Sequence, residues 1–209
     1  EAKDPTTCGH AERVVRYADV LARRCGVGEA DRRELHVAAL LHDVGKIGIP
    51  KEIINKPGPL DDEEWDIMRT HTIAGQEMLN KVGGSMSDIG KIVRASHERW
   101  DGNGYPDGTS GEDVPLPARI AAVADAFSAI TTTRPYRLAQ SPDAAIKELR
   151  ACAGTQFDPE VVDALVAVLE RPAAETPKDF FARTAYPEPV SLRAVPDLDK
   201  IIEEQLGKL

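Results

Sequence analysis

The sequence HAERVVRYADVLARR at residues 10–24 repeats apolar side chains at three- and four-residue steps, the spacing of one face of an amphipathic helix. Asp61 and Glu64 precede another such pattern and match the capping box that begins many helices. Further helical patterns cover about residues 31–43, 61–79, 88–98, 117–129, 142–151 and 159–170. No stretch of the first 170 residues alternates with period two for long enough to indicate a sheet, so the sequence predicts an all-α domain.

Segments rich in proline and glycine separate these helices from one another and from the end of the chain. Residues 47–60 are predicted to be mostly irregular, and residues 101–117 to form a long, shaped loop. We predict a domain over residues 1–170 and a proline-rich extension over residues 171–209 that ends in a short amphipathic helix. That helix either packs on the domain or contacts a partner, such as a second copy in a homodimer.

The composition restricts the kinds of partner that the chain can bind. Its net charge of −9 argues against binding to nucleic-acid polymers, since such binders neutralise phosphates with clustered lysine and arginine. The sequence has no apolar run long enough to span a bilayer and no signal peptide, and its cysteines form no CxxC pair. We therefore expect a cytoplasmic protein with reduced thiols and no membrane insertion. Because the chain begins without methionine, we also expect a fragment of a longer protein.

A set of histidines and carboxylates predicts a metal site. His42 and Asp43 are adjacent at the end of a predicted helix, and imidazole and carboxylate are ordinary ligands of divalent metals. A His-Asp pair alone is only weak support for a metal site. However, Asp125 lies within the apolar run IAAVADAF, where a carboxylate is costly to bury unless it is paired or bound to a cation. Other predicted helices carry His10, His71 and His97.

Several longer motifs are similar to those of one known family. They are HDVGKIGIP at residues 42–50, HERWDGNGYP at 97–106, ARI at 118–120, ADAF at 124–127 and RPYR at 134–137. Over about residues 10–169 the chain resembles the HD-GYP family, and the DGNGYP string is highly specific. The resemblance implies an HD-superfamily helical domain with a glycine-rich GYP loop, bound iron or manganese ions, and hydrolysis of cyclic di-GMP. It also implies an upstream sensory or receiver domain.

The resemblance implies metal-binding roles for the histidines and carboxylates. One ion would be bound by His10, His42, Asp43 and Asp125. A second ion would be bound by His71 and His97, with Asp43 bridging the two. Two close metal ions can activate water and stabilise the charge that develops on a phosphoryl group.

Catalytic and substrate contacts follow from the same resemblance. Lys46 would bind a non-bridging phosphate oxygen as a point charge, and with Asp43 it is the catalytic candidate. Arg134 and Arg137 are candidates for phosphate or guanine contacts, and the loop would aim Tyr105 at the site. The expected ligand is cyclic di-GMP or a related cyclic dinucleotide. The loop could equally dock a partner domain.

The chain departs from the family pattern at three positions. Ser96 replaces the first of two histidines, Thr6 replaces a glutamate that often binds a third metal, and Ser128 replaces a second aspartate. Because a serine hydroxyl is a poor ligand for these ions, we expect two divalent ions rather than three, with a weaker second site. Two alternatives stay open: a catalytically weak or inactive domain that binds cyclic di-GMP or a protein, and a phosphohydrolase of another cyclic dinucleotide or of a nucleotide monophosphate.

The remaining aromatic and histidine side chains are not assigned to the site. Trp65, Met68 and Trp100 are interpreted as core or loop packing rather than as a base-stacking platform. His36 has no counterpart in the family pattern and is interpreted as a surface histidine or a hydrogen-bonded core histidine.

Overall fold

Helices account for nearly all regular structure in the computed structural model of the chain, which describes residues 9–133 and 138–170. Over those ranges the helices are α1 (His10–Arg24), α2 (Glu29–Leu41), α3 (Lys51–Ile54), α4 (Asp62–Arg69), α5 (His71–Val82), α6 (Met86–Arg94), α7 (Leu116–Ile130), α8 (Pro142–Ala151) and α9 (Pro159–Leu169). Short 3-10 turns cover Val44–Gly48, Ala95–His97 and Gly111–Asp113. The described residues contain no strand, only an isolated bridge between Ala153 and Phe157, so the all-α prediction is confirmed.

The first predicted helix is confirmed and forms one wall of the main core. α1 buries the apolar face that its spacing predicts, with Val14, Ala18 and Leu21 fully buried. This face packs with buried side chains of α7, α8 and α9. A smaller cluster joins α2, α5, α6 and the beginning of α7. The packing of α1 on α7 brings His10, at the beginning of α1, within hydrogen-bonding distance of Asp125 in α7.

The third predicted helix is two helices, so its predicted continuity over residues 61–79 is wrong. The capping box is confirmed, because the Asp61 side chain accepts from the Glu64 backbone and the Glu64 side chain accepts from the Asp61 backbone. α4 then ends at Thr70, whose hydroxyl donates to the Ile67 carbonyl. α5 begins with His71, which is almost fully buried, whereas α4 buries none of its residues. The break lets one helix lie at the surface while the next enters the core.

Two other boundaries differ from the sequence prediction because short 3-10 turns replace helix ends. α2 ends at Leu41, and the Val44–Gly48 turn follows the His42–Asp43 pair. α6 ends at Arg94, and the Ala95–His97 turn carries His97. The region 47–60 is not wholly irregular, since the single turn α3 follows Pro50. A 3-10 turn spaces side chains by about 120° rather than 100°, which redirects the candidate ligands at both ends.

Some sequence predictions concern residues outside the described ranges. They are the extension over residues 171–209 with its closing helix, Arg134, Arg137, Thr6 and Cys8. Within the described ranges, Cys25 and Cys152 are free thiols. No helix in the described part of the chain is long and apolar enough to cross a bilayer.

Candidate metal centre

The structure brings all six candidate metal ligands together in two groups. Each group offers three donor atoms that lie within 4.8 Å of one another. The first group is His10, His42 and Asp125. The second group is Asp43, His71 and His97. Side chains separated by up to 115 positions in the sequence therefore converge through the packing of the helices.

The first group joins the ends of α1 and α2 to the middle of α7. His10 Nε2 lies 2.9 Å from Asp125 Oδ1, and the rings of His10 and His42 are 6.1 Å apart. His42 Nδ1–H donates to the Ala39 carbonyl over 2.8 Å, which leaves Nε2 without a proton in the neutral ring. Burial alone would raise the pKa of Asp125, but the hydrogen bond from His10 and the nearby charge of His42 lower it to about 2. Asp125 is therefore an anion at neutral pH, as a metal ligand must be.

The second group contains buried polar atoms that lack hydrogen-bond partners. Asp43 Oδ1, His71 Nε2 and His97 Nε2 are all buried, and none has a partner within the described residues. His71 Nε2 lies 3.5 Å from Asp43 Oδ1 and His97 Nε2 lies 4.0 Å from it, too far for good hydrogen bonds. Leaving one such atom unsatisfied costs about 1–3 kcal/mol, so three converging ones need a common partner. A divalent cation satisfies all three at once.

The protonation of His71 also suits a metal ligand. Its Nδ1–H donates to the Met68 carbonyl over 2.7 Å, so the free nitrogen of the neutral ring is the unpartnered Nε2. Burial, together with the nearby His97, lowers the pKa of His71 to about 4. Neutral imidazole whose other nitrogen is fixed by a carbonyl is the usual arrangement at metal sites. Both groups therefore fit a divalent metal ion by the chemistry of their donors.

Asp43 lies between the two groups. Its Oδ1 faces His71 and His97, while its Oδ2 lies 3.6 Å from His42 Nε2. Lys46 Nζ donates to Asp43 Oδ2 over 2.7 Å. Burial would raise the pKa of Asp43, but the charges of His42 and Lys46 outweigh it and hold the pKa well below its usual range. One anionic carboxylate thus faces both sets of imidazoles.

Two glycines set the separation between the Asp43 turn and α5. A Cβ placed on Gly45 would lie 1.9 Å from the His71 carbonyl oxygen and 2.7 Å from the Gly75 nitrogen. Any side chain at this position would therefore push the turn away from α5. The close approach fixes Asp43 and His71, which lie on the two packed elements, at the spacing described above.

The glycine-rich loop places Tyr105 against the second group. The Tyr105 ring stacks on His97 with centroids 5.2 Å apart and planes 19° apart, and it meets His71 edge-on at 6.2 Å. Burial raises the pKa of Tyr105, and the charge of Asp43 raises it further, so the phenol stays protonated. Gly104 is required by close packing, since a Cβ there would lie 2.4 Å from the Arg99 nitrogen. The loop therefore forms a wall of the site.

The three positions that depart from the family pattern differ in what the structure shows of their surroundings. Ser96 is buried, and its hydroxyl donates to the Val93 carbonyl over 2.8 Å, so its one proton is already engaged in its own helix turn. Thr6 lies outside the described residues. Ser128 is fully buried, and its hydroxyl oxygen lies 2.9 Å from His10 Nδ1. Ser128 thus contacts a candidate ligand directly.

Sequence reasoning treated Ser128 only as a lost ligand and missed this contact. When His10 Nε2 binds an ion, Nδ1 carries the proton and donates to the Ser128 hydroxyl oxygen. The signal available was the three-residue spacing from Asp125, which places both side chains on one face of α7. Ser128 is therefore placed to orient the His10 ring.

We expect Ser128→Ala to lower metal affinity at the first group by about 10- to 100-fold, because the His10 ring loses the acceptor that fixes its tautomer. Competition with a chelator of known affinity, followed by elemental analysis, measures the change. Thr131→Val is the matched control, since it removes the hydroxyl of the residue directly after the same helix, which donates to the Phe127 carbonyl. Equal affinity in the Ser128→Ala variant and the wild type would mean that the contact has no role in ligation.

Helices that converge on a buried histidine–carboxylate centre define a class of metal-binding helical proteins. A profile of the HD domain family matches residues 1–161, and the chain belongs to that family. Curated relatives include the 3′3′-cGAMP-specific phosphodiesterase 3 of Vibrio cholerae, 40% identical over 81% of this chain and 36% of the relative. The cyclic di-GMP phosphodiesterase response regulator RpfG of Xanthomonas campestris is 42% identical over 79% of this chain and 44% of the relative. The chain thus spans less than half the length of these relatives.

Solved structures share the fold. The crystal structure of a cyclic GMP-AMP specific phosphodiesterase of Vibrio cholerae superposes with a TM-score of 0.65 at 18% identity, covering 95% of this chain and 54% of that one. An HDG"Y"P protein of Bdellovibrio bacteriovorus gives a TM-score of 0.61 at 20% identity, covering 81% and 53%. At these identities the likeness concerns the fold alone. With the curated relatives, it confirms the HD-GYP type that the motifs predicted.

Proposed function

We propose that this chain hydrolyses the phosphodiester bond of cyclic di-GMP, giving linear pGpG, GMP or both, with the aid of two divalent metal ions. The observation that carries the proposal is the buried set of unpartnered donors around Asp43, with the His10–His42–Asp125 group beside it. Relatives about 40% identical are named phosphodiesterases of cyclic di-GMP or of 3′3′-cGAMP, which supports a cyclic dinucleotide as substrate. 3′3′-cGAMP is the related cyclic dinucleotide to be compared.

In this proposal Asp43 is shared between the two groups and holds their ions together. His10, His42 and Asp125 complete the first site, and His71 and His97 the second. The mixed imidazole and carboxylate donors suit iron or manganese. Bound there, the ions would supply an activated water nucleophile and Lewis-acid stabilisation of the phosphoryl charge.

Side chains around the two groups would position the substrate. Lys46, whose side chain is 37% exposed beside Asp43, would bind a non-bridging phosphate oxygen. Tyr105, which stacks on His97, would contact the substrate beside the second group. Arg134 and Arg137 remain proposed contacts for phosphate or guanine. The proposed compartment is the cytoplasm, which the free Cys25 and Cys152 fit.

The test begins with protein purified without oxygen and analysed for metals. Incubation with cyclic di-GMP, 3′3′-cGAMP and cyclic di-AMP, each followed by separation of products, then identifies the substrate and the bond that breaks. We expect about two ions per chain and hydrolysis of cyclic di-GMP that a chelator abolishes and manganese or iron restores. Failure to hydrolyse any of the three with both sites loaded would contradict the proposed function.

A second candidate function is binding of cyclic di-GMP, or of a protein, without turnover. Ser96 favours it, because a hydroxyl engaged with Val93 stands where the family pattern has the first of two adjacent histidines. The convergence of the other six donors opposes it. Saturable binding of cyclic di-GMP with no product from the metal-loaded protein would support this function instead.

We expect Lys46→Ala to lower kcat/KM by about ten- to a hundredfold, since charge-assisted contacts to phosphate contribute about 1.5–3 kcal/mol. An ammonium group cannot bind a cation, so metal content should not change. Lys91→Ala is the matched control, because Lys91 also pairs with a carboxylate three residues before it but lies on the exposed face of α6. Loss of metal in Lys46→Ala would mean that Lys46 acts through Asp43 rather than on the substrate.

A further inference from the structure

Helix α4 packs unlike the other long helices of the domain. It has 8 residues, buries none of them, and leaves Trp65 42% exposed and Ile67 41% exposed. Trp65 lies on a helix and is exposed, so its interpretation as core or loop packing is wrong.

A line of contacts connects Trp65 to the candidate metal centre. The Arg69 guanidinium carbon lies 5.9 Å from the Trp65 ring centroid and 5.9 Å from the Tyr105 ring centroid. Tyr105 in turn stacks on His97 of the second group. Arg69 is therefore connected, through its contact with Tyr105, to a candidate metal ligand. α4 forms the outer part of the wall whose inner part is Tyr105.

The charges around Arg69 leave it available for an anion. Its side chain is 52% exposed, and its ion pair with Asp66 spans 3.4 Å at the surface. An exposed pair of this kind contributes little, so a phosphate group can compete for the guanidinium. The first turn of α4 also carries Asp62, Glu63 and Glu64, of which Glu64 is paired with Lys56. Arginine also stacks on purines as readily as on aromatic side chains.

We propose that Trp65 and Arg69 form a nucleotide-binding wall that stacks on one purine base of a cyclic dinucleotide and contacts its adjacent phosphate. This inference rests on the proposed function, since it concerns the substrate of the same site. A cyclic dinucleotide carries purines on both sides of its phosphate ring. When one phosphate lies at the metal centre, a base can extend past Tyr105 towards α4. Trp65 then supplies an indole face and Arg69 a cationic planar one.

Variants of the full chain test the wall by its effect on different substrates. We expect Arg69→Ala and Trp65→Ala each to raise KM for cyclic di-GMP about tenfold, within the range for loss of one base-stacking contact. Hydrolysis of bis(p-nitrophenyl) phosphate, a diester without a purine, should stay within about twofold of wild type because the metal centre is untouched. Arg150→Ala is the matched control, since Arg150 is 53% exposed and forms a similar surface ion pair, with Glu170.

Fluorescence gives a reading that does not depend on turnover. The chain has 2 tryptophans, so Trp100→Phe leaves Trp65 as the only indole. Rapid mixing of this variant with cyclic di-GMP should quench Trp65 emission saturably, and Arg69→Ala in the same background should shift the midpoint about tenfold.

The outcomes separate the inference from the proposed function. Wild-type hydrolysis of cyclic di-GMP with unchanged KM in both variants would overturn the wall alone. Equal losses on both substrates would also overturn it, because the damage would then be to the metal centre. A change in Trp65 emission with protein concentration, without nucleotide, would assign the face to contact between copies and overturn the wall. Absence of hydrolysis and of Trp65 quenching by any cyclic dinucleotide in the metal-loaded protein would overturn the wall and the proposed function together.

Discussion

Asp43→Ala is expected to abolish hydrolysis, lowering kcat/KM by at least about a thousandfold, and to deplete both metal sites together. The Asp43 carboxylate lies between the two groups, with Oδ1 towards His71 and His97 and Oδ2 towards His42. Its loss would remove one negative charge from between the two proposed cations. A thousandfold loss corresponds to about 4 kcal/mol, comparable to the removal of a group essential for charge stabilisation.

A second variant separates the charge of the Asp43 side chain from its shape, and a third serves as a control. Asp43→Asn keeps the shape and can still accept from Lys46, so any metal loss it shows is due to charge. Asp88→Ala is the matched control, because Asp88 pairs with Lys91 at 2.8 Å as Asp43 pairs with Lys46 at 2.7 Å, yet lies at the surface. Elemental analysis and product separation on all three are the measurements. Full occupancy of either site in the Asp43→Ala variant would show that the carboxylate is not shared.

The candidate ligands could be predicted from the sequence because burying a charge is costly. Asp125 within an apolar helix indicates a buried carboxylate that needs a partner in any fold. The His42–Asp43 pair supports a metal site only when it is considered together with Asp125 and the other histidines. The structure confirms that these side chains converge in two groups, and it places Asp43 in the second group with its Oδ2 3.6 Å from His42 of the first. Their roles as ligands remain proposals. The convergence of these side chains depends on how the helices pack. The spacing of apolar residues predicts which face of a helix is buried, but not how closely that face approaches another helix.

Other features could not be predicted from local patterns. Trp65 follows the spacing of a buried residue, but the break at Thr70 turns α5 into the core and leaves α4 outside. Ser128 was judged by its poor ability to bind metal, whereas its contact with His10 depends on the approach of two helices far apart in sequence. In both cases tertiary packing, and not residue type, determines the role.

The same limit applies to Gly45, whose neighbours come from a different helix. Its sequence context indicates only the end of a helix, whereas its close approach to α5 involves His71 and Gly75. We therefore expect Gly45→Ala to lower the free energy of unfolding of the metal-free protein by about 3 kcal/mol, the upper part of the usual range for overpacking. The added methyl group would meet the His71 carbonyl oxygen at 1.9 Å, and a backbone atom cannot move aside as a side-chain end can.

Gly48→Ala provides the control for Gly45, since it lies in the same 3-10 turn and a Cβ there has no neighbour within 4 Å. We expect it to change stability by less than about 1 kcal/mol. Denaturant unfolding of the metal-free proteins measures the change in stability.

Gly45→Ala should also weaken metal binding, because the turn must move away from α5 and so separate Asp43 from His71. Metal titration measures this loss of affinity at the second site. Wild-type stability together with wild-type metal affinity in Gly45→Ala would mean that the turn and α5 do not approach as closely as described.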